Sequence, residues 1–181
     1  MPMTFGASCE SHDESAYARR KRTRQEAKAR KAAASDPFER IVVLCSVRDR
    51  SSTELVDRLE SEGYSAGEAH AAVERSLECG LVDDMRFAEG FIRGRMSAGK
   101  GVVAIEKELA KHGIDACVLD DWPDAYGLGE DDQVESAIDY RSAHPPKAKD
   151  AWSAAFRKLV GRGYAQSVAS RATRRWMESL E

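Results

Sequence analysis

The sequence predicts an all-α protein: three tandem three-helix, helix-turn-helix-like repeats forming an elongated curved array. Three observations carry that expectation. The strings Leu59-x3-Gly63-Tyr64, Leu109-x3-Gly113-Ile114 and Leu159-x3-Gly163-Tyr164 recur at a spacing of 50 residues. Glycine supplies about 7% of ordinary sequence, so two further glycines in register arise by chance roughly once in 200 trials. Periods of this length signify stacked supersecondary units, which present a long concave surface. Helix punctuation is the second observation: Ser51-x2-Glu54 and Ser65-x2-Glu68 are capping boxes, and Gly63 supplies the left-handed residue that ends a helix. The third is composition. Only five prolines occur in 181 residues, and strings of Ala, Glu, Lys, Arg and Leu dominate, which favours helix.

Taken in order, residues 1–36 hold four large apolar side chains, Met1, Met3, Phe5 and Tyr17, and a basic run from Arg19 to Arg24. With nothing to bury, this segment reads as a disordered basic N-terminal arm. The first repeat spans 37–80, with helices near 37–48, 52–62 and 66–79. The second spans 81–127, with helices near 84–97, 102–112 and 116–126. Pro123 falls inside the last of these, so that helix is short or broken. The third spans 128–181, with helices near 131–142, 149–162 and 165–179; Gly127-Leu128-Gly129 links into it, and Pro145-Pro146 separates its first two helices.

The stretch Asp83-Asp84-Met85-Arg86-Phe87-Ala88, running on to Gly99-Lys100-Gly101, is the junction around which the repeats are arranged. Asp83 and Asp84 suit the amide-rich, positive start of a helix. Phe87, Ala88, Phe91 and Ile92 share its apolar face, and Arg86, Glu89 and Arg93 the other. Arg48, Arg50, Arg86, Arg93, Arg95 and Lys100 make a basic seam in an otherwise acidic body. Salt bridging within the protein is one reading of these cations; pairing with a partner's carboxylates is the other.

These residues resemble the regulatory protein RecX family, modulators of the RecA recombinase. The likeness rests on Asp83-Asp84-x-Arg86-Phe87-Ala88, the Gly-Lys-Gly loop, and Ile105-x3-Leu109-x3-Gly113-Ile114. Upstream, Arg48-x-Arg50-Ser51-x2-Glu54-Leu55-x3-Leu59-x3-Gly63-Tyr64 is similar to the family's first-repeat signature. It covers roughly residues 38–179. The resemblance implies a cytoplasmic, non-enzymatic inhibitor in DNA repair, homologous recombination and the SOS response. Such a protein lies in the groove of RecA–DNA filaments and restrains ATPase, strand exchange and co-protease activity.

Charge and motif content exclude much else. Residues 1–36 carry eight Lys and Arg against five acids, 37–146 carry 12 against 23, and 147–181 carry eight against three. An acidic body with basic ends suits a protein partner of mixed charge, or weak, non-specific DNA contact confined to the ends. Arg171, Arg174 and Arg175 on the last helix are the possible DNA contacts, so a DNA-binding helix-turn-helix protein acting through the arm and last repeat is the alternative function. Cys9, Cys45, Cys79 and Cys117 and the four histidines lack metal-ligand spacing. Gly94-x4-Gly99-Lys100 spells most of a phosphate loop, but Gly101 replaces the Mg²⁺-binding hydroxyl and a helix precedes it. No apolar run approaches the 18 or so residues of a membrane span. No catalytic residue, cofactor, metal or small-molecule substrate is expected.

Overall fold

The computed structural model describes residues 16–32 and 35–180, and among these there are helices and turns but no strand. The first repeat is α2 (Pro37–Cys45), α3 (Ser52–Glu62) and α4 (Ala66–Glu78). The second contains α5 (Asp84–Ser97) and α6 (Val102–Ala110), followed by two short 3-10 helices, Ala116–Val118 and Asp124–Tyr126. The third is α7 (Glu130–Ala143), α8 (Ala151–Gly161) and α9 (Gln166–Glu178). Each repeat has its own hydrophobic cluster.

One local device explains the 50-residue period. The amide after each repeat glycine, in Tyr64, Ile114 and Tyr164, donates to the carbonyl of Leu59, Leu109 and Leu159, at 3.2 Å in all three. The glycine amide itself donates to Glu60, Ala110 and Val160. This paired closure requires a left-handed residue at the helix end, and Gly63, Gly113 and Gly163 have φ of 109°, 76° and 87°. Leu59, Leu109 and Leu159 are wholly buried, as are Leu55, Ile105 and Ala155 one turn earlier. The motif thus fixes both the end of the helix and the face it buries.

Two expectations are corrected. Residues 16–32, placed in a disordered arm, form a helix, α1 (Ala16–Ala32). Its Ala, Arg, Lys and Gln content has high intrinsic helix propensity, which the search for an apolar face overlooked. The Lys28 ammonium ties it to the first repeat by donating to the Ser61 carbonyl at 2.6 Å. Residues 1–15, 33 and 34 of the expected arm lie outside the described residues. Within the second repeat, the helix expected to be short or broken over 116–126 is broken into the two 3-10 turns, with a cis peptide between Trp122 and Pro123. α2 also stops at Cys45 rather than 48, where the Ser46 hydroxyl turns back to the Val43 carbonyl.

Candidate functional site

The cations of the seam fall into separate groups. Arg48 and Arg50 both reach Glu54, Arg48 at 2.5 Å, and Arg50 also donates to the Leu44 carbonyl at 3.3 Å. Arg95 and Lys100 both reach Glu108, at 2.5 and 3.5 Å. In each group two cations share one carboxylate, which leaves a formal positive charge over. Burial pushes the Glu108 carboxyl up, but Arg95 and Lys100 outweigh it and hold the group below the usual carboxylate range. The Arg95 guanidinium also lies over the Phe91 ring at 4.5 Å.

Arg86 lies 3.4 Å from Asp49 and donates to the Leu81 carbonyl at 3.2 Å, so it ties the second repeat to the first. Arg93 has one loose contact, 3.6 Å to Glu89, and its side chain is 71% exposed. The structure therefore spends Arg86 on holding repeats together and leaves Arg93 the most accessible member of the seam. Arg171 bonds Glu130 and Asp131 on α7, and Arg175 bonds Glu135. A phosphate would have to displace those carboxylates. Arg174 has no ion-pair partner among the described residues.

The paired aspartates divide their work. The Asp83 carboxylate caps its own helix, accepting from the amides of Met85 and Arg86 at 2.9 and 3.0 Å. Asp84 reaches into the first repeat, accepting from the Ser52 amide at 2.8 Å and the Ser52 hydroxyl at 2.6 Å. Phe87 and Ala88 are buried, as their spacing predicts, and the Phe87 ring lies 5.7 Å from Phe91 and 5.0 Å from His112.

The next junction repeats this plan with residues that sequence reasoning did not single out. Gln133, 5% exposed on α7, accepts from the Val102 amide at 3.2 Å and donates to the Leu128 carbonyl at 2.8 Å. Residues 52 and 102 are one 50-residue period apart, so each marks where the following repeat seats. The amides of Gly101 and Val103 donate to the carbonyls of Arg162 and Gly163, both at 3.1 Å. Arg162 in turn donates to the carbonyls of Gly99, at 2.8 Å, and Ala98, and its guanidinium stacks over Tyr140 at 4.2 Å. A Cβ on Gly163 would lie 2.2 Å from the Ala104 Cβ, and one on Gly113 would lie 2.1 Å from the Thr53 hydroxyl. The period that located the glycines was the available signal for Arg162, which sits one residue before the third of them.

Helical units, closed by one shared turn and seated end to start, define a tandem helical-repeat protein. Among the described residues, no cluster of His, Cys, Asp or Glu could hold a metal, and no helix is long and apolar enough to cross a membrane. Residues 83–121 match the family model described as "RecX, second three-helix domain". The regulatory protein RecX of Mycolicibacterium vanbaalenii is 35% identical over 136 residues, covering 70% of this chain and 74% of that protein. That of Stenotrophomonas maltophilia is 36% identical over 103 residues, so the match spans 57% of this chain and 61% of the relative's length. A crystal structure of RecX from Lactobacillus salivarius shares the fold, with a TM-score of 0.63 at 19% identity, over 78% of this chain and 95% of that one. The chain belongs to the RecX family.

Proposed function

We propose that this protein is a non-enzymatic modulator of the RecA recombinase, acting in the cytoplasm by lying along RecA–DNA filaments and restraining their ATPase, strand exchange and co-protease activity. The observation that carries this reading is the kinship to proteins named for regulation, which extends over most of the three repeats. The site chemistry supports it. The groups Arg48–Arg50–Glu54 and Arg95–Lys100–Glu108 each hold one cation more than their carboxylate neutralises, and Arg93 stands exposed between them in sequence. A polymer subunit that presents carboxylates would complete these groups. An interface Arg paired in this way contributes about 2 kcal/mol or more, against well under about 1 kcal/mol for a solvated one.

The test is inhibition of RecA's DNA-dependent ATPase by the full chain. Arg93→Glu combined with Arg48→Gln should leave thermal melting within a degree or two, about the limit for exposed substitutions. It should raise the concentration needed for half-inhibition at least about tenfold, corresponding to the loss of about 1.4 kcal/mol. Inhibition equal to wild type would remove these cations from the interface; no inhibition by the wild type would remove RecA.

One observation favours a second reading, direct DNA contact. Arg20, Lys21 and Arg24 lie exposed on α1, where Glu26 is the one acid between Arg19 and Lys28. Binding to DNA without RecA that weakens steeply with salt and disappears on deletion of residues 1–35 would support it.

A further inference from the structure

The two internal junctions define a seat, and the corresponding end of the third repeat is exposed among the described residues. Position 52 receives the Asp84 carboxylate on its amide and hydroxyl, and position 102 receives the Gln133 amide oxygen. The residue one period on is Trp152, in the first turn of α8. No following repeat lies among the described residues, and Trp152 is 43% exposed, its ring stacked on Phe156 at 5.3 Å and 9°. We infer that this outer end of the third repeat is a docking surface for a protein helix whose first turn carries carboxylates. The inference rests on the reading above, and the helix it names belongs to RecA.

Two features of the chain select this occupant. Both helices that reach the equivalent seats carry acids at their start, α5 placing Asp84 on Ser52 itself and α7 holding Glu130, Asp131 and Asp132 beside the seated Gln133. The surroundings of Trp152 complement such a helix in charge. Lys147, Lys149 and Lys158 are exposed and have no ion-pair partner among the described residues, Arg157 acts on the Asp150 carboxylate that caps α8, and the arginines at the two internal junctions, Arg86 and Arg162, are engaged. An exposed indole beside unpaired cations offers a large apolar contact with a charged rim, the arrangement that dominates protein interfaces.

The experiment measures binding of the full chain to RecA filaments on single-stranded DNA, with melting followed in parallel. Trp152→Ala should weaken binding at least about tenfold with little change in melting, and Trp152→Phe should stay within about threefold of wild type. The pair Lys149→Glu and Arg157→Glu should weaken binding most at low salt, where unscreened charges act furthest. A photo-reactive p-benzoylphenylalanine at position 152 should crosslink to RecA, at a segment that begins a helix with Asp or Glu. Wild-type binding with unchanged variants would overturn the docking surface and leave the RecA reading standing. No wild-type binding would overturn the RecA reading, and the named partner with it. Crosslinks into DNA, or into a second copy of the chain, would overturn the proposed occupant.

Discussion

Between the first and second repeats, side chains make the junction: the Asp84 carboxylate on Ser52, Arg86 beside Asp49, and the Thr53 side chain against Gly113. Between the second and third, the main chain makes most of it: the amides of Gly101 and Val103 meet the carbonyls of Arg162 and Gly163, and Arg162 returns to Gly99. The geometry is shared, since the turn of one repeat seats on the start of the preceding repeat's second helix. The difference is in what each junction tolerates. A side-chain junction can rotate away from an intrusion, whereas a backbone junction cannot.

The largest expected effect follows directly. Gly163→Ala places a Cβ at φ +87° and against the Ala104 backbone. Left-handed strain of about 1–2 kcal/mol and overpacking of about 1–3 kcal/mol predict a loss of about 2–5 kcal/mol. Urea unfolding followed by hydrogen exchange should show α7–α9 opening ahead of the rest. Gly113→Ala meets only the Thr53 side chain, so about 1–2 kcal/mol of backbone strain is expected there. Equal losses for the two variants would erase the distinction between the junctions.

A smaller effect sharpens the other side. Asp84→Ala removes two charge-assisted hydrogen bonds to Ser52 and should cost about 1.5–3 kcal/mol in chemical denaturation. Asp84→Asn keeps an acceptor and should recover more than half of that loss. If the alanine variant unfolds as the wild type does, Asp83 alone accounts for the start of α5.

The turns were legible in the sequence because they are local. Leu59, Gly63 and Tyr64 close one hydrogen-bonded ring within six residues, and the same is true one and two periods on. Phe87, Ala88 and Ile92 were legible as core for a similar reason, their helical spacing. The seam was legible as cations but not as groups, since Arg95 meets a carboxylate 13 residues away and Asp84 a serine 32 residues away. Such pairings depend on how repeats seat, which no local pattern records. The last helix of the second repeat was legible only as a disturbance at Pro123, which does not specify two 3-10 turns. Trp152 was overlooked because an aromatic residue in a helix reads as core until its neighbours are known.

The residue before each repeat glycine carries the comparison to its smallest effect. At this position His112 packs its ring 5.0 Å from Phe87 and Phe91, and Arg162 crosses to the preceding repeat. Glu62 instead receives two hydrogen bonds from Arg40, both 2.7 Å, and one from Arg58 at 2.6 Å. Arg40's hydrogen bonds, opposed by burial and reinforced by Arg58, lower the Glu62 pKa from 4.5 to about 2. A carboxyl depressed by folding stabilises the folded state above its unfolded pKa, and that contribution is lost as pH falls through the folded value. The window is therefore pH 4.5 down to about 2. The shift alone would correspond to about 3 kcal/mol, but these side chains are partly solvated, and screening reduces the expected contribution to about 1 kcal/mol. Glu62→Gln should lose that amount at neutral pH, flatten the acid limb, and converge on wild type near the bottom of the window. In the wild type, exchange protection in α3 should fall on acidification before that in α8, whose equivalent position holds Arg162. Parallel acid limbs for wild type and Glu62→Gln would show that the Arg40 pair contributes nothing to folding.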